Sequence, residues 1–436
     1  MNGKDVDTKD KTTKGDKKSN SVAPQNRGYR LIKKRSETVV MPEANYDSAF
    51  DKENPYYIKI ANKYRILKYV TSLLAIVFAI VMLTAFSSDI TAENFQYLIK
   101  DLDITGITSG TTFDSVIYNG GTSASFGIYR GELVVVNAGT TMLYKPSGAL
   151  SFNKTNKFYN PRVEISSKYF LVYDRGETSY SYSIFNSFAE LKSERYEYPI
   201  TLATLSDIGS YAVVTRDDSY RSIIKVYNEN FKQVSEIKKE KYVTDLSFTS
   251  DGELLAIASV YDKDGAFDGE ISVIKPGSSK PDFTVSVSGL LPLNVKWLSN
   301  GSLCVVYPNA VHTYSKSGEK LTELLLTNLL SLRVSAGEQL ILAVHNTNVL
   351  GYDKTVKIYD TNSELLFSTS LQGELIKALS YENKAYLLFE NKIIVVDPYE
   401  KKVYEASVKP NAKDVVLYKS TVVICYSGGA EPVFPQ

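Results

Sequence analysis

Two histidines, two cysteines and the Ser-x-x-Lys run at Ser317–Lys320 are residues of this chain whose types suit nucleophilic or metal chemistry. His312 and His345 are too few for a three-histidine zinc site. Cys304 and Cys425 exclude four-cysteine zinc or iron–sulfur centres and any multi-disulfide scaffold. The four together lack the close paired spacing of a two-cysteine, two-histidine site. Each His lies on or beside an apolar run and reads as a packed or hydrogen-bonded residue, and the cysteines read as small buried apolar groups. Ser317-Gly318-Glu319-Lys320 has the spacing of a serine nucleophile and its lysine base, but neighbouring repeats carry turn residues at the same place, so it reads as a turn. The sequence contains no phosphate-loop, dinucleotide or hydrolase-elbow glycine motif. No catalytic residue, cofactor or metal ligand is therefore expected, and a carboxylate pair assembled from distant segments is the one hydrolytic arrangement left open.

Between Tyr261 and Glu270 (YDKDGAFDGE) the carboxylates Asp262, Asp264 and Asp268 recur closely enough to converge on calcium. The calcium-loop pattern fails because Ala266 and Phe267 stand where a ligand and the turn glycine belong, so the stretch reads as a solvated acidic loop. Three other segments vary in the same way: Asp174-Arg175-Gly176-Glu177, Arg216-Asp217-Asp218-Ser219-Tyr220-Arg221 and Asn346-Thr347-Asn348. Loops on a rigid scaffold are where binding resides, and Tyr and Arg are favoured contact residues. Asp174, Arg175, Arg216, Asp217, Asp218, Tyr220, Arg221, Tyr261, Asp262, Asp264, Asp268, Asn346 and Asn348 are the expected partner-binding face.

The scaffold that would position them is repetitive. Short Val/Ile/Leu/Tyr runs separated by Gly, Asn, Asp and Ser turns fill residues 89–436, which reads as all-β. An outer hairpin marked by Tyr144, Phe185, Tyr227, Ile274, Tyr314, Tyr359 and Val396 recurs at a mean interval of 42 residues, and an inner strand pair precedes each. Four strands per ~42 residues is the spacing of a β-propeller blade. An eighth inner pair, Val415–Ser427, lacks an outer pair after it. Asn94–Tyr97 and Phe113–Asn119 supply strand-like material that belongs to no other repeat, so ring closure by both chain ends is expected. The expectation is about eight four-stranded blades, with seven and an irregular end as the alternative.

Ahead of the repeats, Tyr69–Ser88 is a run of 20 residues without charge, long enough as a helix to cross a hydrocarbon core of roughly 30 Å. Lys63, Arg65 and Lys68 flank its start, and Asp89 and Glu93 its end, which places the N-terminus in the cytoplasm and the remainder outside. A 68-residue leader is too long for the charged start of a secretory signal. Charge divides at the same point: residues 1–68 hold 16 Lys/Arg against 9 Asp/Glu, a net of +7, and the rest hold 34 against 40, a net of −6. The expected organisation is a disordered basic cytoplasmic tail (1–54), a juxtamembrane segment (55–68), a transmembrane helix (69–88) and an extracytoplasmic propeller (89–436). Nothing points to nucleic acid as a partner.

The outer hairpin, an apolar pair, then Tyr or Val, then a polar turn, resembles the blades of quinoprotein-like and WD40-like propellers, including membrane-anchored assembly factors, over about residues 110–430. Those families close each turn with a Gly-Lys pair and a docking Trp. Here the single Trp is Trp297, on an inner strand, and only Gly148 and Gly318 hold the turn position cleanly. The layout of basic tail, single span and Tyr-rich propeller also resembles a domain-of-unknown-function family of clostridial-type Gram-positive membrane proteins. The function expected is a non-catalytic binding or scaffolding module for a protein or cell-envelope partner, with an extracytoplasmic enzyme such as a glycan hydrolase as the alternative.

Overall fold

The computed structural model describes residues 55–85, 96–97, 113–121, 123–176, 180–278, 280–326, 329–335, 340–346 and 353–436. The chain divides into two units, Met1–Ile107 and Thr108–Gln436. In the first, Pro55–Ala85 is one helix, α1. Proline suits its first turn because its missing N–H would have no helical partner. Within α1, Ile58–Val81 is long and apolar enough to cross a membrane. Thr71 and Thr84 return their hydroxyls to the carbonyls of Leu67 and Ile80, so neither carries an unsatisfied donor. Residues 86–88 of the expected span lie outside the described residues.

The second unit is an eight-bladed β-propeller of four-stranded antiparallel sheets. Blade 1 runs from Ser125 to Thr155, blade 2 from Pro161 to Arg195, blade 3 from Leu202 to Lys239 and blade 4 from Tyr242 to Ser288. Blade 5 runs from Asn294 to Leu325, blade 6 from Leu329 to Gln372 and blade 7 from Leu375 to Ser407. Blade 8 takes three strands from the C-terminal end, Asp414–Tyr418, Thr421–Cys425 and Gly429–Val433, and its outermost from Val116–Ile117. Closure by both chain ends is as expected. The third strand of blade 8 follows directly in sequence, so only one strand is borrowed from the N-terminal side. Of Asn94–Tyr97, expected to be strand material, Gln96 and Tyr97 are helical.

The second strand of a blade is sandwiched between two neighbouring blades, which is why ELVVV, FLVYD, YAVVT and TVVIC are buried at every position. Its alternating side chains leave to opposite sides, so each strand feeds two interfaces. Val134 and Val136 pack with Phe170 and Val172 of blade 2, while Leu133 and Val135 pack with Val423 and Cys425 of blade 8. In five blades the ladder slips by one residue at the aromatic that marks the repeat: Tyr144, Phe185, Tyr227, Tyr314 and Tyr359. The interface of blades 2 and 3 is the most tyrosine-rich: Tyr211 and Tyr227 stack at 4.5 Å, and the Tyr196 and Tyr227 hydroxyls meet at 2.7 Å.

Candidate functional site

Strand alternation sorts the connections onto two faces. Links between the second and third strands lie on one face with the links between blades, here called the loop face. First-to-second and third-to-fourth turns lie on the other, the turn face. The chain enters the ring on the turn face, where the Asp114 N–H donates to the Pro146 carbonyl at 2.7 Å. The turns on that face are short and closed by their own hydrogen bonds. Ser315–Glu319 is one such turn, with the Gly318 N–H on the Ser315 carbonyl, Gly318 at φ +87 and the Lys320 ammonium on Glu323 at 2.5 Å. The Ser-x-x-Lys run is thus a turn.

The residues expected to form a partner face separate into structural and available groups. Asp174 is buried and accepts the Asn160 N–H at 2.5 Å, tying blade 2 to the preceding link. Asp268 is buried and accepts from Ser288 and Gly289. Asp217 accepts the N–H groups of Ser219 and Tyr220, shaping its own loop. Asp218 accepts from the Tyr198 hydroxyl at 3.0 Å. Tyr261 to Glu270 is not an acidic loop, as expected from the sequence, but the end of a long ribbon, Leu255–Lys263 paired with Ala266–Ile274. Its two-residue turn is Asp264 (φ +56) and Gly265 (φ +82), and the Gly265 N–H donates to Asp262. Asp-Gly adopts this double left-handed turn readily. Asn346 ends the second strand of blade 6, away from blades 2–4, and Asn348 lies outside the described residues.

What the loop face of blades 2–4 brings together is a belt of cations over tyrosine rings. Arg195 lies over Tyr180 at 5.2 Å, Lys238 over Tyr220 at 5.5 Å, Arg221 over Tyr242 at 5.4 Å and Lys241 over Tyr261 at 4.1 Å. Lys239 and Lys241 share the Glu270 carboxylate, holding its pKa below the usual range against burial. Arg216 is exposed beside this belt.

A second set of charges, unexpected from the sequence, lines the axial channel. The inner strands place a charged or polar residue at matched positions before their turns. Glu164 and Lys296 stand two residues before the turn-closing Ser166 and Leu298, and Arg162, Asp245 and Asn294 stand at the next position towards the loop face. Lys377 pairs with Asp414 across blades 7 and 8. Asp245 accepts from the Asn294 amide at 2.5 Å and the Val295 N–H at 2.9 Å, and burial still raises its pKa. Burial pushes Glu164 up to about 7, with Asp245 acting in the same direction and Lys296 opposing. The sequence carries the signal as V-E-I, T-D-L and V-K-W, a charge set between β-branched or apolar neighbours on first strands rather than in a loop.

The residues that chemistry would have used are held in the packing. His312 is buried, with Nδ1 3.2 Å from the Tyr314 hydroxyl, and burial lowers its pKa. Cys304 and Cys425 are free and buried, and desolvation pushes the Cys304 thiol up to about 12, so its thiolate is scarce. Two depressions open on the surface. One, of about 620 Å³, is lined by Asp353, Gln372, Lys392 and Glu405, which pair among themselves. The other, of about 580 Å³, lies at Asn119, Gly121 and Asn137, whose polar atoms serve their own loops. No cluster of three metal-ligating side chains occurs among the described residues.

Fold and site together define an eight-bladed propeller with a cation–tyrosine loop face and a charged axis, following a helix able to cross a membrane. The chain belongs to the family described as "Family of unknown function (DUF5711)", whose model matches residues 109–433. Comparison with curated proteins finds no match. Among solved structures it is similar to BamB from Moraxella catarrhalis, with TM-score 0.51 and 10% identity over 73% of this chain and 98% of that one. It also matches apo AztD from Citrobacter koseri, with TM-score 0.48 and 14% identity over 71% and 90%. A third match is the Cps50 (Swd1) β-propeller domain of Myceliophteria thermophila, with TM-score 0.45 and 12% identity over 68% and 99%. At such identities the likeness is one of fold.

Proposed function

We propose that this chain is a single-span membrane protein whose propeller lies outside the cytoplasm and holds a protein or cell-envelope partner without transforming it. In this reading residues 1–54 are a basic cytoplasmic tail, 55–68 meet the inner surface of the membrane, 69–88 cross it and 89–436 lie beyond. The observation that carries the reading is the loop face of blades 2–4. There Tyr180, Tyr220, Tyr242 and Tyr261 each carry a cation, on a rigid ring whose opposite face is closed by short turns. Aromatic and Arg side chains on a preordered surface bind at low cost in conformational entropy. The BamB and Swd1 propellers share the architecture without contributing a partner to this one.

Two measurements test the two halves. Protease added to intact protoplasts is expected to remove the propeller and spare the tail, and the reverse digestion pattern sinks the topology. Changing Arg216, Tyr220, Arg221 and Tyr261 to Ala in the full chain should lower capture of envelope glycans, peptides or membrane partners, with at most about half a kcal/mol lost in stability. Capture without turnover is the expected mode. Replacing Lys145, Lys275 and Lys320 on the turn face should leave capture intact, and loss through that set instead would assign the working face to the other side.

A further inference from the structure

Each blade ends outward on its fourth strand, and the outer edge of that strand offers backbone N–H and C=O groups to a further strand. Charge guards most of these edges. The outer strands Leu150–Thr155, Glu190–Arg195, Gln233–Lys239 and Lys320–Leu325 each hold at least one lysine. In blade 7, Lys402–Ser407 is charged too, and its edge is partly taken, because Glu405 and Gln436 exchange backbone hydrogen bonds at 3.2 and 3.3 Å. The outer strand of blade 8 is too short to recruit a neighbour. Two longer outer strands carry no charge, Phe283–Ser288 of blade 4 and Leu365–Gln372 of blade 6. Among the described residues no further strand covers either edge.

The two unguarded edges differ in what stands beside them. Next to the blade 6 strand lies the depression lined by Asp353, Lys392 and Glu405, a charged wall. Next to the blade 4 strand the wall is apolar. Phe283, Val285 and Val287 pack with the cluster of Trp297 and Tyr314, and Gly318 of blade 5 lies so near that a Cβ there would meet the Phe283 ring at 2.6 Å. This row therefore faces blade 5, and the alternate row of Thr284, Ser286 and Ser288 is exposed on the other side. On the outer strand of blade 5, Thr322 and Leu324 turn to blade 6, so Leu321 and Leu325 turn back towards the blade 4 edge. They keep 53% and 70% of their surface exposed. The charge between them, Glu323, is held by Lys320 at 2.5 Å.

We propose that this edge joins two copies of the chain, Phe283–Ser288 of one pairing antiparallel with the same strand of the other across a two-fold axis. The strand is its own complement. An axis normal to the sheet keeps each row on its own side, so the apolar row of one copy continues that of the other, over Leu321 and Leu325, and hydroxyl row meets hydroxyl row. Neither strand brings a charge that pairing would desolvate. With six residues in the strand and two flanking leucines, the contact is at the small end of specific interfaces, which sets the association in about the micromolar range. The surface lies on the rim and does not rest on the loop-face reading.

The test measures the mass of the full chain in detergent by light scattering, from about 1 to about 200 µM. A dimer that dissociates within that range is expected. Ser286→Lys and Ser286→Glu each set like charges against one another across the axis and should weaken association at least about tenfold, whereas mixing the two variants should restore it. Melting curves unchanged from the parent exclude loss of fold as the cause. Ser370→Lys on the blade 6 edge should leave the dimer intact. The proposal is overturned by a chain still monomeric at about 200 µM, or by a dimer indifferent to both Ser286 variants, as one held through α1 would be. It is equally overturned by Ser286 variants that fail to rescue one another, or by a dimer lost through Ser370→Lys instead.

Discussion

Between blades 7 and 8, Leu388, Ile393, Val422 and Ile424 are shut away from solvent on side chains that leave the sheet sideways. On the inner edge of the same ring, and on the loop face above it, Arg162, Glu164 and Lys296 stand without a fixed partner. The same short strands supply both environments. The interfaces are saturated: eight clusters of buried apolar side chains close around the circle, each made by two adjacent blades. The channel and loop face are left with charge to spare. Apolar burial and unpaired charge are therefore placed on different sides of the same strands, which allows loop and axis to change without opening the ring.

Removing residues 412–436 is the strongest way to break that division, since it deletes three strands of blade 8 and exposes half of two interfaces. Blade 8 is already the least guarded. Its outer strand pairs only at Val116–Ala430 and Ile117–Gly429. Beyond that pair the ladder turns the nitrogen of Pro432 to the open edge, where a proline has no N–H to offer an invading strand. The truncated full chain should lose its cooperative melt by circular dichroism, and a melting curve like that of the parent would show that these strands do not close the ring. The single change Ile424→Ala, in the same interface, should cost about 2–5 kcal/mol.

Within the channel the expected effect is smaller and depends on pH. A carboxyl whose value is raised from 4.5 to about 7 in the folded protein takes up a proton on folding, so folding is favoured in acid and loses that advantage as pH rises through this window. Glu164→Gln removes the dependence. Relative to the parent, it should stabilise the full chain by about 1–2 kcal/mol near pH 8, discounted for channel water, and leave stability unchanged below about pH 4.5. Denaturant melts at the two pH values check this. A variant equally stabilised at both would place Glu164 in the packing rather than in the charge balance of the axis.

Much of the ring could be read in the sequence because its signal is local. A buried second strand is apolar along most of its length, and a marker aromatic sits at each slip between third and fourth strands, so the 42-residue period and closure by both ends are visible. Gly429–Val433 was not, since GAEPV has one β-branched residue and a proline, and only its place between Thr421–Cys425 and Val116–Ile117 makes it a strand. The ribbon of blade 4 reads as a loop in the sequence because Asp262, Asp264 and Asp268 break its apolar alternation, although Asp264-Gly265 is a hairpin signal. Of the expected face, Arg175 joins the channel cations and Tyr220, Arg221 and Tyr261 join the belt, while Asp174, Asp217 and Asp268 hold backbone. Whether a short acidic side chain binds outward or caps inward depends on which N–H groups lie within reach, and those come from loops that only the fold brings near.

The smallest expected effect belongs to that ribbon. Its paired strands have nine residues each, against five for the corresponding pair of blade 1, so it rises above the loop face by about four residues, on the order of 13 Å at strand spacing. Phe267, paired with Asp262 near its tip, keeps 59% of its surface exposed, unlike the shut-away phenylalanines Phe170, Phe185 and Phe389 of the interfaces. An apolar ring with so little to bury against adds little to folding, so Phe267→Ala should shift stability by less than about half a kcal/mol. The same truncation at Phe170 should cost about 3–5 kcal/mol. If Phe267→Ala destabilised the chain as much as the interface change, the ribbon would be a brace of the ring. If it left stability untouched and reduced capture alongside the Tyr261 variant, the ribbon would be an arm of the binding face.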